Sequence, residues 1–301
     1  MQLAHLINFL TIEIIITALV ITFTTALPGL FLGLQKKALL SDTTAHAVLL
    51  GIVISFMIVS DLNSPFLFIG ASLAGVLAIA LTELLRTAPF IKPDSAMVIT
   101  FSLFFSLALI LINLLGTDKV HLDEDAVILG ELAFAPFVRT ELPFLSFIPL
   151  IPPGTSLPTA LVQALVILLL ELGFVGLFYK ELVMVSFDPL FTQTQGFKSR
   201  LVEFALVIAA SLSAVNAIEH LGVFITIAFF VLPPATGLLL ATRIWKIIAI
   251  ATVFSFVTVP CGYLFSYLLN LSISGSMAFI MGITFLSLVF IKLFIKSLIP
   301  N

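Results

Sequence analysis

The chain has 301 residues, 61% hydrophobic and 10% charged, with a mean hydropathy of +1.28 and a net charge of −3. Soluble domains carry about 25% charged residues, so a water-soluble globule is excluded and lipid is the solvent for most of the surface. The small net charge, without a basic patch, gives no footing for nucleic acid, and the single cysteine, Cys261, excludes an intramolecular disulfide.

A membrane-spanning helix needs about 20 mostly apolar residues. In chain order, such runs are predicted at 10–34, 39–60, 64–85, 94–116, 159–180, 199–220, 222–241, 246–269 and 275–297. Nine spans follow, or eight if one is re-entrant. Met1 to Leu10 holds no Lys or Arg, so the first run reads as a retained helix rather than a cleaved signal. The runs are continuous rather than alternating, which excludes a barrel. The fold class is therefore an all-α polytopic membrane protein, with a single transmembrane domain over residues 1–301 and no soluble domain.

Lys and Arg in short loops set the orientation. With the loop after the fifth span inside, Lys36, Lys37, Arg86, Lys92, Lys180, Lys198, Arg200, Arg243, Lys246, Lys292 and Lys296 lie on the cytoplasmic side. Only Lys119 and Arg139 then lie outside, and a nine-span chain has its N-terminus out and its C-terminus in. Two connections differ from the rest. The external loop, about 117–158, carries Asp118, His121, Asp123, Glu124 and Asp125, then a proline-rich part. The acidic run reads as a solvated loop or as a receiver of metal. The cytoplasmic stretch Tyr179 to Arg200 is the most polar between neighbouring spans.

Three stretches carry chemistry. In "SDTTAHAVLLG", residues 41–51, Asp42 and His46 are four apart, one turn apart on one helix face. Imidazole and carboxylate both bind divalent first-row metals. An ionised Asp within a span costs about 2.5–3.5 kcal/mol on insertion scales, so it is usually paired or functional. The other reading makes Ser41 or Asp42 a helix N-cap, with His46 facing a neighbouring helix. In "VSFDPLFTQTQGF", Asp188-Pro189 starts a short helix and Gly196 stops it, at about 188–196. That helix is either a solvated connector or a docking element. In "LGVFITIAFFVLPPATG", Pro233-Pro234 is predicted to break a spanning helix, as happens where membrane helices line a cavity. No P-loop is present: "QGFKSR" has Phe191 where the first glycine belongs and Phe197 where the lysine belongs. No hydrolase or dinucleotide motif is present either. Glu83, Glu171 and Glu203, within or near span ends, take no assigned role.

These stretches occur in this order in the membrane permease subunits of bacterial ABC importers for manganese, zinc or iron(II), and the chain resembles that metal permease family. "SDTTAHAVLLG" matches the family's acid-histidine motif at the start of the second span. "KPDSAMVITFSLFFSLALILI" matches its acidic start to the fourth span. "VILGELAF" matches an external motif, "VSFDPLFTQTQGF" the cytoplasmic loop, and "LGVFITIAFFVLPPATG" the late Pro-containing segment. The resemblance covers about residues 10–297. Ser41 and Leu50 depart from it, standing where Gly and Pro are usual; losing that proline straightens the second helix.

The resemblance implies a type II ABC importer permease in the bacterial cell (inner) membrane, with no resident cofactor and a divalent ion, Mn²⁺, Zn²⁺ or Fe²⁺, as cargo. It implies that Asp42 and His46 are metal ligands. Phe187, Asp188, Pro189 and Gly196 would dock a cytoplasmic ATPase subunit that hydrolyses ATP. A second permease chain and an extracytoplasmic metal-binding lipoprotein complete the implied partners. A proton-coupled metal carrier would use the same pair without an ATPase and usually shows an internal repeat. A permease for a chelate such as a siderophore would need a wide pore and no acid-histidine pair.

Overall fold

The computed structural model describes residues 9–35, 37, 39–60, 65–115, 132–141, 156–187 and 199–298. Four helices come first: α1 (Phe9–Leu34), α2 (Leu39–Val59), α3 (Pro65–Arg86) and α4 (Pro93–Leu115). A 3₁₀ turn at Leu132–Phe137 and two short strands, β1 (Arg139–Glu141) and β2 (Ser156–Pro158), precede α5 (Thr159–Leu177) and α6 (Tyr179–Phe187). The chain then forms α7 (Ser199–Leu221), α8 (Val223–Leu240), α9 (Ile244–Leu269) and α10 (Ile273–Leu298). Among the described residues, eight helices are long and apolar enough to cross a membrane, and α2 adds the shorter apolar stretch His46–Val59.

Four elements were not foreseen: the 3₁₀ turn, the two strands and α6. The strands pair antiparallel, with Thr140 opposite Leu157, inside the connection expected to be loop only. Three-residue strands carry no detectable alternation. The fifth span ends at Phe178, whose φ of −109° and ψ of 20° leave the helix, and α6 begins at once. That places the first half of the expected polar loop in a helix, seated on the bundle through buried Leu182, Val185 and Ser186. The start of α4 follows its sequence, with Pro93 at the first position and Asp94 in the first turn.

The expected break at Pro233-Pro234 does not occur. Both prolines sit inside an uninterrupted α8. A proline removes the hydrogen bond to the carbonyl four residues back, here Phe229 and Phe230. Helix α1 compensates for both. The Thr25 hydroxyl lies 3.2 Å from the Phe229 carbonyl oxygen, sharing its proton with the Ile21 and Thr22 carbonyls at 3.0 and 3.1 Å. At Gly29 the α1 backbone comes so close to the Phe230 carbonyl that a Cβ would overlap it, the close approach in which Cα–H···O contacts form. Neighbouring helices re-satisfy proline-freed carbonyls in this way in membranes.

The boundary expected between the spans 199–220 and 222–241 falls at Gly222, where φ is 84° and ψ is 163°, a backbone region open essentially to glycine alone. Helix α2 runs through Leu50 without interruption, as expected where the proline is missing. It packs against α3 through small residues: a Cβ on Gly51 would overlap the Gly70 carbonyl, and one on Gly70 would overlap Ser55. Small residues let membrane helices approach and gain dispersion contacts where no hydrophobic force drives them together.

Cross-links define the two ends of the bundle. At one end Lys37 pairs with Glu83 and Glu203, Arg86 pairs with Glu83 at 2.7 Å, and Lys292 donates to the Leu239 carbonyl. At the other, Arg139 pairs with Glu13, Thr11 meets Tyr263 at 2.9 Å, and the Leu132 N–H donates to Ser274. Following the helix directions, Lys37, Arg86, Lys92, Lys180, Arg243, Lys246, Lys292 and Lys296 cluster at the first end, and Arg139 alone among the described cations at the second. By the positive-inside rule the first end is cytoplasmic.

Candidate metal site

Helix α2 is continuous through Asp42 and His46, so the two stand one turn apart on one face, with about 6 Å of rise between them. The Asp42 side chain lies outside the described residues. His46 is 7% exposed. Its ring stands edge-on to Phe101 at 4.4 Å and Phe105 at 5.5 Å on α4, and to Phe224 at 6.0 Å on α8. Such edge-to-face contacts fix the ring plane. Imidazole is the side chain most often used to bind first-row metals.

The cage could have been read from sequence only in part. Phe101 and Phe105 are four apart and so share a face, but the chain holds 30 phenylalanines, and spacing alone does not select these two. Phe224 follows the boundary at Gly222 that the spans 199–220 and 222–241 already imply, but nothing in the sequence places that boundary beside His46. Among the described residues, no group of three or more His, Cys, Asp or Glu converges.

The docking segment is described only at its edge. Phe187 ends α6 with its side chain exposed, whereas Asp188, Pro189 and Gly196 lie outside the described residues. The acidic run 118–125 also lies outside them. The glutamates do acquire surroundings. Glu83 and Glu203 flank Lys37. Glu171, 3% exposed on α5, accepts a hydrogen bond from Ser213 on α7, and His220 and Gln163 meet at 3.1 Å along the same seam.

The sequence profile of the ABC 3 transport family matches residues 8–141 and 156–292. The chain belongs to the ABC 3 transport family. It is 34% identical over 276 residues to the zinc transport system membrane protein TroD of Treponema pallidum, covering 92% of this chain and 72% of that protein. It is 31% identical over 275 residues to the manganese transport system membrane protein MntD of Bacillus subtilis, covering 91% and 89%. In fold it resembles PsaBC from Streptococcus pneumoniae, solved in complex with Fab, with a TM-score of 0.74 at 24% identity over 94% of this chain and 91% of that one. As an ABC 3 member with this set of apolar helices, it is a multi-pass membrane permease subunit of an ABC transporter.

Proposed function

We propose that this permease moves a divalent transition-metal ion, Mn²⁺, Zn²⁺ or Fe²⁺, into the cytoplasm through a path in which Asp42 and His46 are ligands. The observation that carries the site is His46, buried in its aromatic cage one helical turn from Asp42. The names of the zinc and manganese relatives support the choice of ion class.

One chain offers one carboxylate and one imidazole. Two permease chains related by a two-fold axis would offer two of each. Two carboxylates would neutralise the ion's charge, and four N/O ligands suit Mn²⁺, Fe²⁺ or Zn²⁺ better than Mg²⁺. ATP hydrolysis belongs to a separate cytoplasmic subunit docked at Phe187, Asp188, Pro189 and Gly196, since the chain has no P-loop. A lipoprotein outside the membrane delivers the ion. The setting is the bacterial cell membrane.

The test is metal uptake into proteoliposomes holding this chain and its ATPase, with Mn²⁺, Zn²⁺ and Fe²⁺ in competition. ATP-dependent uptake should be lost in Asp42→Ala and His46→Ala, while both variants remain folded and ATPase-bound. ATP-dependent uptake that survives both substitutions would remove the site, and uptake indifferent to ATP would move the function to a proton-coupled carrier.

A further inference from the structure

We propose that Lys37 is the positioning residue that couples the ATPase-docking segment to the metal-bearing helix. The inference rests on the docking and metal assignments made above. Between α1 and α2, Gln35 and Lys37 touch the two elements that flank the docking segment. Gln35 Nε2 donates to Ser186 Oγ on α6 at 3.5 Å, two residues before Asp188. Lys37 Nζ donates to Glu203 Oε2 at 2.9 Å, near the start of α7, just past that segment. Lys37 also donates to Glu83 Oε1 on α3 at 3.2 Å, and its own N–H donates to the Leu32 carbonyl at 2.8 Å. The ammonium is largely enclosed, with 11% of the side chain exposed.

Two residues after Lys37, α2 begins, and it carries Asp42 and His46 within its first eight residues. A displacement of the 188–198 segment would move the end of α6 and the start of α7. Gln35 and Lys37 are bonded to one each, and Lys37 stands two residues before the helix that holds the ligands. Glu83, anchored to Arg86 at 2.7 Å, gives Lys37 a fixed partner on α3, while Glu203 gives it one on the element that the partner subunit displaces. A lysine suits this task, because its point charge on a flexible stem can keep one contact while the other shifts. Coupling between distant sites needs such a physical element, biased by both.

The experiment uses the reconstituted permease–ATPase complex and measures ATPase co-purification, ATP hydrolysis and Mn²⁺ or Zn²⁺ moved per ATP. In Lys37→Met the complex should assemble and hydrolyse ATP, while metal moved per ATP falls by about tenfold, within the range by which mutations along coupling elements act. Glu203→Gln should reproduce the loss, the double variant should be no worse than either single one, and Lys37→Arg should restore coupling. An unchanged ratio in Lys37→Met would overturn the proposal. So would equal falls of uptake, hydrolysis and assembly in both Lys37→Met and Lys37→Arg, the mark of a purely structural role. Asp188→Ala and His46→Ala serve as controls: retained ATPase binding or retained uptake there would fault the docking or metal assignment, independently of the Lys37 ratio.

Discussion

Replacing Arg139 should destabilise the outer end of the bundle by leaving the buried Glu13 carboxylate without its ion-pair partner. Its guanidinium meets Glu13 through two bonds, Nη2 to Oε1 at 2.7 Å and Nη1 to Oε2 at 3.2 Å. It also donates to the Ser156 carbonyl and hydroxyl at 2.9 and 3.0 Å, which fastens β2 over α1. The Glu13 side chain is 7% exposed and that of Arg139 31%. Breaking a fully buried pair costs about 3–5 kcal/mol, and an exposed one contributes about 0.2–1 kcal/mol. With one partner buried and the other nearly a third exposed, about 2–3 kcal/mol is expected for Arg139→Met. At 2–4 °C per kcal/mol for a chain of this size, the midpoint of thermal unfolding in detergent should fall by about 4–12 °C. Glu13→Gln removes the charge left behind, so Arg139→Met/Glu13→Gln should be more stable than Arg139→Met alone. Lys at 139 should rescue poorly, because it lacks the planar fork. Strict additivity of the two substitutions, or an Arg139→Met midpoint equal to wild type, would refute the reasoning.

Three further outcomes follow from the packing. Gly51→Leu should drive α2 from α3, because even a Cβ there overlaps the Gly70 carbonyl; overpacking costs typically about 1–3 kcal/mol, read as a lower unfolding midpoint and reduced folded yield. Thr25→Val should cost about 1 kcal/mol by removing a donor from the Phe229 carbonyl. Pro233→Ala restores that carbonyl's own N–H partner, so the Thr25→Val penalty measured by the same melt should shrink in that background. Gly222→Ala forces a side chain into φ 84°, a strain of about 1–3 kcal/mol, and should lower the midpoint while also weakening metal uptake through displacement of Phe224.

The spans were legible because lipid leaves helices little choice: each must be a long apolar run, and such runs stand out without any tertiary knowledge. The gathering of cations at one end was legible for a related reason, since Lys37, Arg86, Arg243 and Lys292 all stand at the ends of spans on that side. Asp42 and His46 could be paired because a helix converts a spacing of four into a shared face. What packs on that face could not be read. Phe101 and Phe105 come from α4 and Phe224 from α8, and only tertiary structure brings them to one imidazole. Glu83 and Glu203 failed to announce their role for the same reason: their common partner, Lys37, lies 46 and 166 residues away. The double proline does not break α8 because its effect depends on a different helix. Read within α8, it frees two carbonyls and should break the helix; beside Thr25 and Gly29 of α1, it does not.

The interruption at Gly222 has its own physical reason. A reversal buried in the bundle, between Leu221 and Val223, must leave no backbone group unpaired, because no water reaches it. Gly222 meets that requirement by itself: its N–H donates to the Ile218 carbonyl at 2.9 Å, and its carbonyl accepts from the Thr226 N–H at 3.1 Å and hydroxyl at 2.8 Å. A proline at this position would forfeit the first of these bonds, and any side chain would strain the left-handed φ. The glycine therefore lets α7 end and α8 begin within the apolar interior, two residues before Phe224. Phe224 is thereby set against the ring of His46. The irregular backbone and the candidate ligand are thus parts of one arrangement: the turn is tolerated because its polar groups close on themselves, and its position brings the third wall of the histidine cage from α8 rather than from α4.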